Sequence, residues 1–372
     1  MRDLEGLFVV SLEQAVAAPY CAMRLAEAGA RVVKVERPEG DFARDYDYDV
    51  EGLSAHFVWL NRGKESLRLN LKDPDDRAVI GRMLKTADVF VQNLAPGAAA
   101  RLGLGAAALR ATRPELIHVS ISGYGEEGPR KDLKAYDLLV QAESGLSAIT
   151  GGPEAPARVG VSVCDISAGM TAYQAVLEAL IGRGRTGEGR TIEVSLFHAV
   201  ADWMNVAYLH TRYGGKPPKR PGLRHPSIAP YGVFDCADGA ILISIQNPRE
   251  WRALCAEVLE APELADHPDY HDNVARVAHR PALEALIGAE FARWPREALA
   301  ARLEAAKIAY GRLSSIEEFV RHPQLRLIRV DTEKGPVELV APGAVLRGVE
   351  RAPGPVPALG EHDAALRAEF GG

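Results

Sequence analysis

Short apolar runs alternate with helical stretches through the first third of this chain, and that alternation restricts the fold more than any other feature. Residues 7–12, 31–36, 87–91 and 116–122 read as strands, and residues 20–28, 76–85 and 106–112 as helices between them. Gly29 and the pair Arg37-Pro38 punctuate the first helix and the second strand. Strands joined through helices pair in parallel, and a parallel sheet hides both of its faces. The expected core is α/β: an open parallel sheet with helices on both faces.

The rest of the chain changes character. A long helix is expected from about Ile166 to Arg183, with Met170, Tyr173, Val176, Leu177 and Leu180 at helical spacing. The turn at residues 185–190 and a strand at 191–196 follow. Residues 213–230 are dense in Gly and Pro and read as a connector. Residues 232–235 and 240–245 read as paired strands around an Asp238-Gly239 turn, followed by helices near 249–259 and 280–293. A second breaker-rich stretch covers 334–357. At 372 residues the chain exceeds the roughly 250–300 that one core usually serves. The expected plan is a Rossmann-like large domain at 1–212, a linker at 213–230 and a smaller α+β domain at 231–330. A second linker at 331–357 leads to a C-terminal segment, 358–372, that returns to the large domain.

Composition removes several classes of function. A net charge of -6 offers no general attraction to nucleic acid or to anionic membranes. The four cysteines, Cys21, Cys164, Cys236 and Cys255, form no CxxC pair and no zinc spacing, so no metal is expected. No signal-peptide pattern and no run of about 18 apolar residues occurs, and a soluble cytoplasmic protein is expected. Gly103-Leu104-Gly105 lacks the third glycine and the preceding strand of a dinucleotide fingerprint. Neither a phosphate-binding Gly-x4-Gly-Lys-Ser/Thr loop nor a Gly-x-Ser-x-Gly elbow is present.

What remains is a series of polar and basic residues after strands, where ligands of open α/β sheets bind. Lys34, Glu36 and Arg37 close one strand; Asn61-Arg62-Gly63-Lys64 leads into an apolar run at 67–71. Asn93-Leu94-Ala95 and Arg101 follow another strand, and Lys134-Ala135-Tyr136-Asp137 precedes a further apolar run. Together they imply a cationic, glycine-lined groove for an extended anionic ligand carrying phosphates. Asp165 interrupts the strand-like run from Gly160 to Cys164 just before the long helix. A carboxylate there faces free N–H groups and the positive end of the helix. It serves as an N-terminal cap, as a reactive carboxylate, or as both.

These blocks resemble the family III CoA-transferases, the CaiB/BaiF-type family. Ala18-Pro19 with residues 29–38 resembles the family's opening AGP…GAxVxKVExP block. Residues 61–67 resemble NRGKRSL, residues 91–97 VENFRPG, and residues 119–125 with Gly128-Pro129 VSISGFGxxGP. Tyr136-Asp137, residues 160–169 and residues 226–231 fit the later blocks, in family order over about the first 280 residues.

The resemblance implies a catalytic role for Asp165 and a place for Val16 and Ala17 at the reaction centre. It implies that CoA is held by Arg37, Asn61, Arg62, Gly63, Lys64, Asn93, Leu94, Ala95, Arg101, Lys134, Ala135, Tyr136 and Asp137. It also implies an interlocked, ring-like homodimer, no tightly bound cofactor, and coenzyme A or acyl-CoA as substrate. The implied reaction moves CoA between an acyl-CoA and a small carboxylic or dicarboxylic acid through an aspartyl-CoA thioester on Asp165. Mesaconyl-CoA C1–C4 transfer is one member of that group, and Arg224 and His225 are candidates for a second carboxylate. Two departures bear on substrate. The tetraglycine loop of formate and oxalate enzymes is missing after Tyr231, where residues 244–248 occupy a plausible equivalent, so such an activity is not expected. The racemase branch pairs its aspartate with a histidine near position 136, and none is there. A 2-methylacyl-CoA racemase-like enzyme and a non-catalytic CoA-binding protein remain the alternatives.

Overall fold

A computed structural model describes residues 2–349 and 352–371. They fall into two compact units, one from residues 1–147, 158–209 and 326–372 and one from 148–157 and 210–325. The first is built on six parallel strands: β1 (Phe8–Leu12), β2 (Arg31–Glu36), β3 (Lys64–Arg68), β4 (Val89–Gln92), β5 (Ile117–Ser122) and β6 (Thr191–Ser195). Their order is β3-β2-β1-β4-β5-β6. The chain winds outward from β1, returns to the middle at β4, and winds outward the other way. The β1–β4 boundary is therefore the switch point of the sheet, where the loops leaving adjacent strands diverge and open a crevice.

The helices of this unit begin with α1 (Ala17–Glu27), α2 (Ala55–Asn61), α3 (Pro74–Leu84), α4 (Ala98–Arg101) and α5 (Ala106–Thr112). Then come α6 (Asp137–Glu143), α7 (Leu146–Ile149) and the 24-residue α8 (Val163–Thr186). One face of the sheet buries Val9, Val32 and Val119 against Ala18, Ala22 and Leu25 of α1 and Ala168, Ala172 and Val176 of α8. The other buries Val10, Val33 and Phe90 against Ile80 and Met83 of α3 and Leu366 of the C-terminal helix. Small residues let α1 and α8 meet closely. A Cβ on Gly169 would lie 2.6 Å from the Ala17 carbonyl oxygen, so only glycine fits that crossing.

The second unit pairs β7 (Tyr231–Cys236), β8 (Gly239–Ser244) and β9 (Ala309–Arg312) as an antiparallel sheet. Trp251, Leu283, Ile287, Phe291 and Leu299 form its core. Among the described residues, no helix is long and apolar enough to cross a membrane.

Three local expectations differ from the structure. The strand here is Lys64–Arg68 rather than the apolar run at 67–71, because buried ion pairing lets Lys64 sit inside a strand. The long helix begins at Val163 rather than Ile166, and before it Gly160 and Val161 form a bend rather than strand. The sequence placed the end of the smaller domain at 330 and a connector at 331–357. The structure forms a hairpin of β10 (Leu327–Thr332) and β11 (Gly335–Val340) within the first unit. Its alternating Ile328, Val330, Val337 and Leu339 cover Phe57 and Val58 of α2, and that apolar face keeps the hairpin there.

Candidate active site

The loop leaving β1 is fixed from beneath by charge. Lys34, Lys64, Glu13 and Asp41 are all buried. Lys34 Nζ donates to Asp41 Oδ2 at 2.8 Å and to Glu13 Oε1 at 3.4 Å. Lys64 Nζ donates to the same Glu13 oxygen and, at 3.0 Å, to the Pro19 carbonyl and to Asn61 Oδ1. Burial pushes the Lys64 ammonium down to about 8, against the pull of Glu13. Burial acts on Lys34 in the same direction, but Asp41, Glu13 and Glu36 outweigh it and its pKa rises. Glu36 is held down to about 2: burial opposes, and Arg44 and Lys34 prevail.

This network shapes the backbone above it. Asp41 Oδ1 accepts the Ala15 N–H at 3.1 Å, and Ala15 sits at φ 63°, a left-handed conformation that costs a non-glycine residue about 1 kcal/mol. That bend turns the chain from β1 into α1, so the helix N-terminus at Val16 and Ala17 opens toward the crevice. Across the switch point, Asn93 locks the two loops together. Its Oδ1 accepts the Gln14 N–H at 2.9 Å, and its Nδ2 donates to the Gln14 carbonyl at 2.8 Å.

Asp165 enters from α8. It stands in the first turn rather than at the cap, and the residue at the cap position, Ser162, makes no side-chain cap bond. The cap comes from elsewhere: Asp137 Oδ1 accepts the N–H groups of Cys164 at 2.8 Å and Asp165 at 3.3 Å. Burial, and then the neighbouring Asp137 carboxylate, push the Asp165 carboxyl up to about 7. Two negative groups sharing a poorly solvated helix end disfavour the second ionisation. The same surroundings raise Tyr46 to about 12, through burial and then Asp41, Asp165 and Tyr136.

Asp165 lines a cavity of about 650 Å³ at the carboxyl edge of β1, β4 and β5. Val16, Ala17, Asn93, Leu94, Ala95, Lys134, Ala135, Tyr136 and Asp137 line it too. A second cavity of about 630 Å³ adjoins it and shares Gln14 and Leu94. Arg37 lines the second, with its Nε held by the Gly40 carbonyl at 2.8 Å, beside Leu69, Leu71 and Lys72. The other expected residues lie elsewhere. Asn61, Arg62 and Lys64 are buried and face neither cavity: Arg62 pairs with Glu27, and Asn61 and Lys64 belong to the charge network. Gly63 hydrogen-bonds the Pro355 carbonyl through its N–H. Arg101 is exposed at the end of α4 and lines neither cavity. Motif blocks mix cavity-lining residues with the framework beneath them, and spacing does not separate the two.

The sequence reading missed Gln14, Tyr46, His56, Arg158 and Lys72. Gln14 was within reach, two residues before Val16. Tyr46 and His56 carry no motif and reach the cavity only because residues 42–56 fold over it. Arg158 Nη2 donates to the Gly160 carbonyl at 2.8 Å, which braces the loop entering α8. Arg224 and His225 are engaged within the second unit, Arg224 with Glu284 at 2.9 Å and His225 stacked on Tyr231.

A carboxyl of raised proton affinity in a cavity at the switch point of a parallel sheet, with a second cavity adjoining, is the arrangement of an α/β ligand-binding site. The family model for CoA-transferase family III matches residues 4–363. The chain belongs to that family and is a CoA-transferase. It is 37% identical to a succinate–glutarate CoA-transferase of Agrobacterium fabrum, over 99% of this chain and 95% of that one. It is 36% identical to an acetyl-CoA:oxalate CoA-transferase of Acetobacter aceti, over 98% and 95%. A crystal structure of a CaiB/BaiF family protein from Brucella suis superposes with a TM-score of 0.87, at 33% identity and 99% coverage of both chains.

Proposed function

We propose that this enzyme moves CoA from an acyl-CoA to a small dicarboxylic acid through an aspartyl-CoA thioester on Asp165. The observation that carries this reading is the position of Asp165: a half-buried carboxylate at a helix N-terminus, lining the larger of two adjoining cavities. The nucleotide end of CoA fits the cavity with Arg37 and Lys72, whose cations suit phosphate, and the thioester then reaches Asp165 past Gln14 and Leu94. Asp165 attacks the thioester carbonyl; the C–S bond breaks, leaving a mixed anhydride and CoA thiolate. The thiolate attacks the aspartyl carbonyl and expels the donor carboxylate. The acceptor carboxylate attacks the aspartyl-CoA thioester to give a new anhydride and thiolate. Thiolate attack on the acceptor's carbonyl then releases the new acyl-CoA and restores the Asp165 carboxylate. Covalent catalysis divides one difficult exchange into easier steps. The N–H groups at the start of α1 are placed to stabilise each oxyanion, an effect worth roughly 2.7–4 kcal/mol per donor.

Dicarboxylates are favoured because Lys134 and Arg158 line the same cavity and suit a second carboxylate, and because one relative is named for succinate and glutarate. The relative named for oxalate returns that acid to the candidates despite the missing tetraglycine loop. Mass spectrometry after incubation with succinyl-CoA and a hydroxylamine or borohydride quench tests the mechanism. A mass change confined to the peptide carrying Asp165 is expected, and an unmodified peptide during turnover overturns it. His56 lines the cavity with Asp165, so the same sample in deuterium oxide checks for α-proton exchange, the signature of racemisation.

The enzyme is further read as a cytoplasmic, interlocked homodimer. Support comes from the run of exposed apolar residues Trp203, Val206, Tyr208 and Leu209, a concentration unusual for a lone subunit. Light scattering should give the mass of two chains; a one-chain mass ends that reading.

A further inference from the structure

We propose that Asp137 is a positioning residue for Asp165: with Gln141 it forms a side-chain clamp that supplies the missing cap of α8 and fixes the nucleophile in the cavity. This rests on the reading of Asp165 as nucleophile. A helix leaves its first N–H groups unpaired, and a side-chain oxygen just before the helix normally takes one or two. Ser162 does not. Asp137, the first residue of α6, takes the N–H groups of Cys164 and of Asp165 itself. Its second oxygen accepts from Gln141 Nε2 at 2.7 Å. Gln141 is buried, and its Oε1 accepts the Val159 N–H at 2.8 Å. One side-chain pair therefore joins α6, the loop entering α8, and the turn that carries the nucleophile.

Both oxygens of Asp137 are occupied by the protein, which leaves little for a CoA contact. The arrangement also costs something that a simple cap would not. A serine or asparagine could accept the same N–H groups without placing a negative charge beside the nucleophile. The carboxylate raises the proton affinity of Asp165, making it a better nucleophile once ionised but less often ionised near neutrality. The charged or titratable groups that line the cavity with Asp165 are Tyr46, Asp47, His56, Lys134, Tyr136, Asp137 and Arg158. Among them, Asp137 alone bonds the backbone of the nucleophile.

The test compares Asp137→Ala with the double variant D137N/Q141E in the full-length enzyme. In the double variant the introduced amide oxygen still accepts from the helix, and the amide nitrogen donates to the introduced carboxylate. That carboxylate's other oxygen accepts the Val159 N–H. These bonds of the clamp are kept, only the long 3.5 Å donations from Gln141 to the Val159 and Val161 carbonyls are lost, and the charge moves one side chain further from Asp165. Wild-type kcat/KM should rise about tenfold per pH unit up to an inflection near 7. The double variant should keep kcat within about tenfold of wild type, with that inflection about one unit lower, as moving the like charge away from Asp165 requires. Asp137→Ala should lose about 10²-fold in kcat with little change in KM, the scale of a displaced catalytic group. A raised KM with unchanged kcat and inflection would make Asp137 a substrate contact and overturn the clamp. So would no change in either variant. If the alanine variant does not fold, the double variant decides alone. Trapping at wild-type Asp165 separates the two readings: labelled Asp165 with unmoved Asp137 variants defeats the clamp only, whereas no label defeats the nucleophile.

Discussion

Asp165→Asn removes CoA transfer and makes the protein more stable at pH 8. On the proposed mechanism, loss of the covalent nucleophile is expected to lower kcat by about 10⁴-fold or more. Binding of a CoA ester should stay within a few-fold of wild type, since Arg37, Lys72 and Leu69 lie in the adjoining cavity. The stability change has a definite sign. The folded carboxyl titrates near 7 against an ordinary value of 3.8, so the native state holds its proton more tightly than the unfolded chain. The stability linked to that proton is complete below about pH 4 and is lost as pH rises through 7. At pH 8 the ionised carboxylate weighs against the fold by about 1–4 kcal/mol, and asparagine relieves that cost. Urea unfolding at pH 8 and acyl exchange between succinyl-CoA and labelled acids measure the two effects. An inactive variant that is also less stable would mean that the carboxylate holds the helix instead of doing chemistry.

Lys34→Met destabilises the first unit by about 3–5 kcal/mol, the usual cost of stranding buried carboxylates. Methionine approximates the length of the lysine side chain, so lost packing contributes little. What is lost is the ammonium between Asp41 and Glu13, both buried. Asp41 also holds the left-handed turn at Ala15, so the loop into α1 should relax as the network fails, and kcat should fall with stability. The exposed pair Arg312–Glu297 provides the contrast. Its contact is 2.6 Å, but both side chains are well solvated, and Arg312→Ala should cost under about 1 kcal/mol. Denaturant unfolding of both variants tests the comparison. A loss below about 1 kcal/mol for Lys34→Met would show that the remaining network, with Lys64, satisfies both acids by itself.

Much of this was legible from residues alone. Alternating strands and helices are encoded locally, through hydrophobic period and glycine or proline punctuation, and helix α5 falls where its pattern places it. The ordered blocks around residues 29–38, 61–67, 91–97 and 160–169 carried the family, and a match over residues 4–363 agrees. Those blocks do not separate residues that line a cavity from residues that hold the backbone. Asn61, Arg62 and Lys64 read like ligand contacts because exposed cations and buried, paired cations have the same letters.

Asp165 shows the same division. Its place before a long amphipathic helix, and the blocks around it, marked it from sequence as cap or nucleophile. Tertiary structure decided that it is not the cap, because Asp137, 28 residues away in sequence, occupies that role. Only folding brings Asp137 and Gln141 to the start of α8, and Tyr46, His56 and Arg158 to the cavity wall. Hydrophobic period and turn chemistry act over a few residues, so the sequence determines strands, helices and the family they belong to. Ion pairs, caps and proton affinities depend on distances of a few ångströms between segments far apart in the chain, and those distances exist only once the sheet has formed.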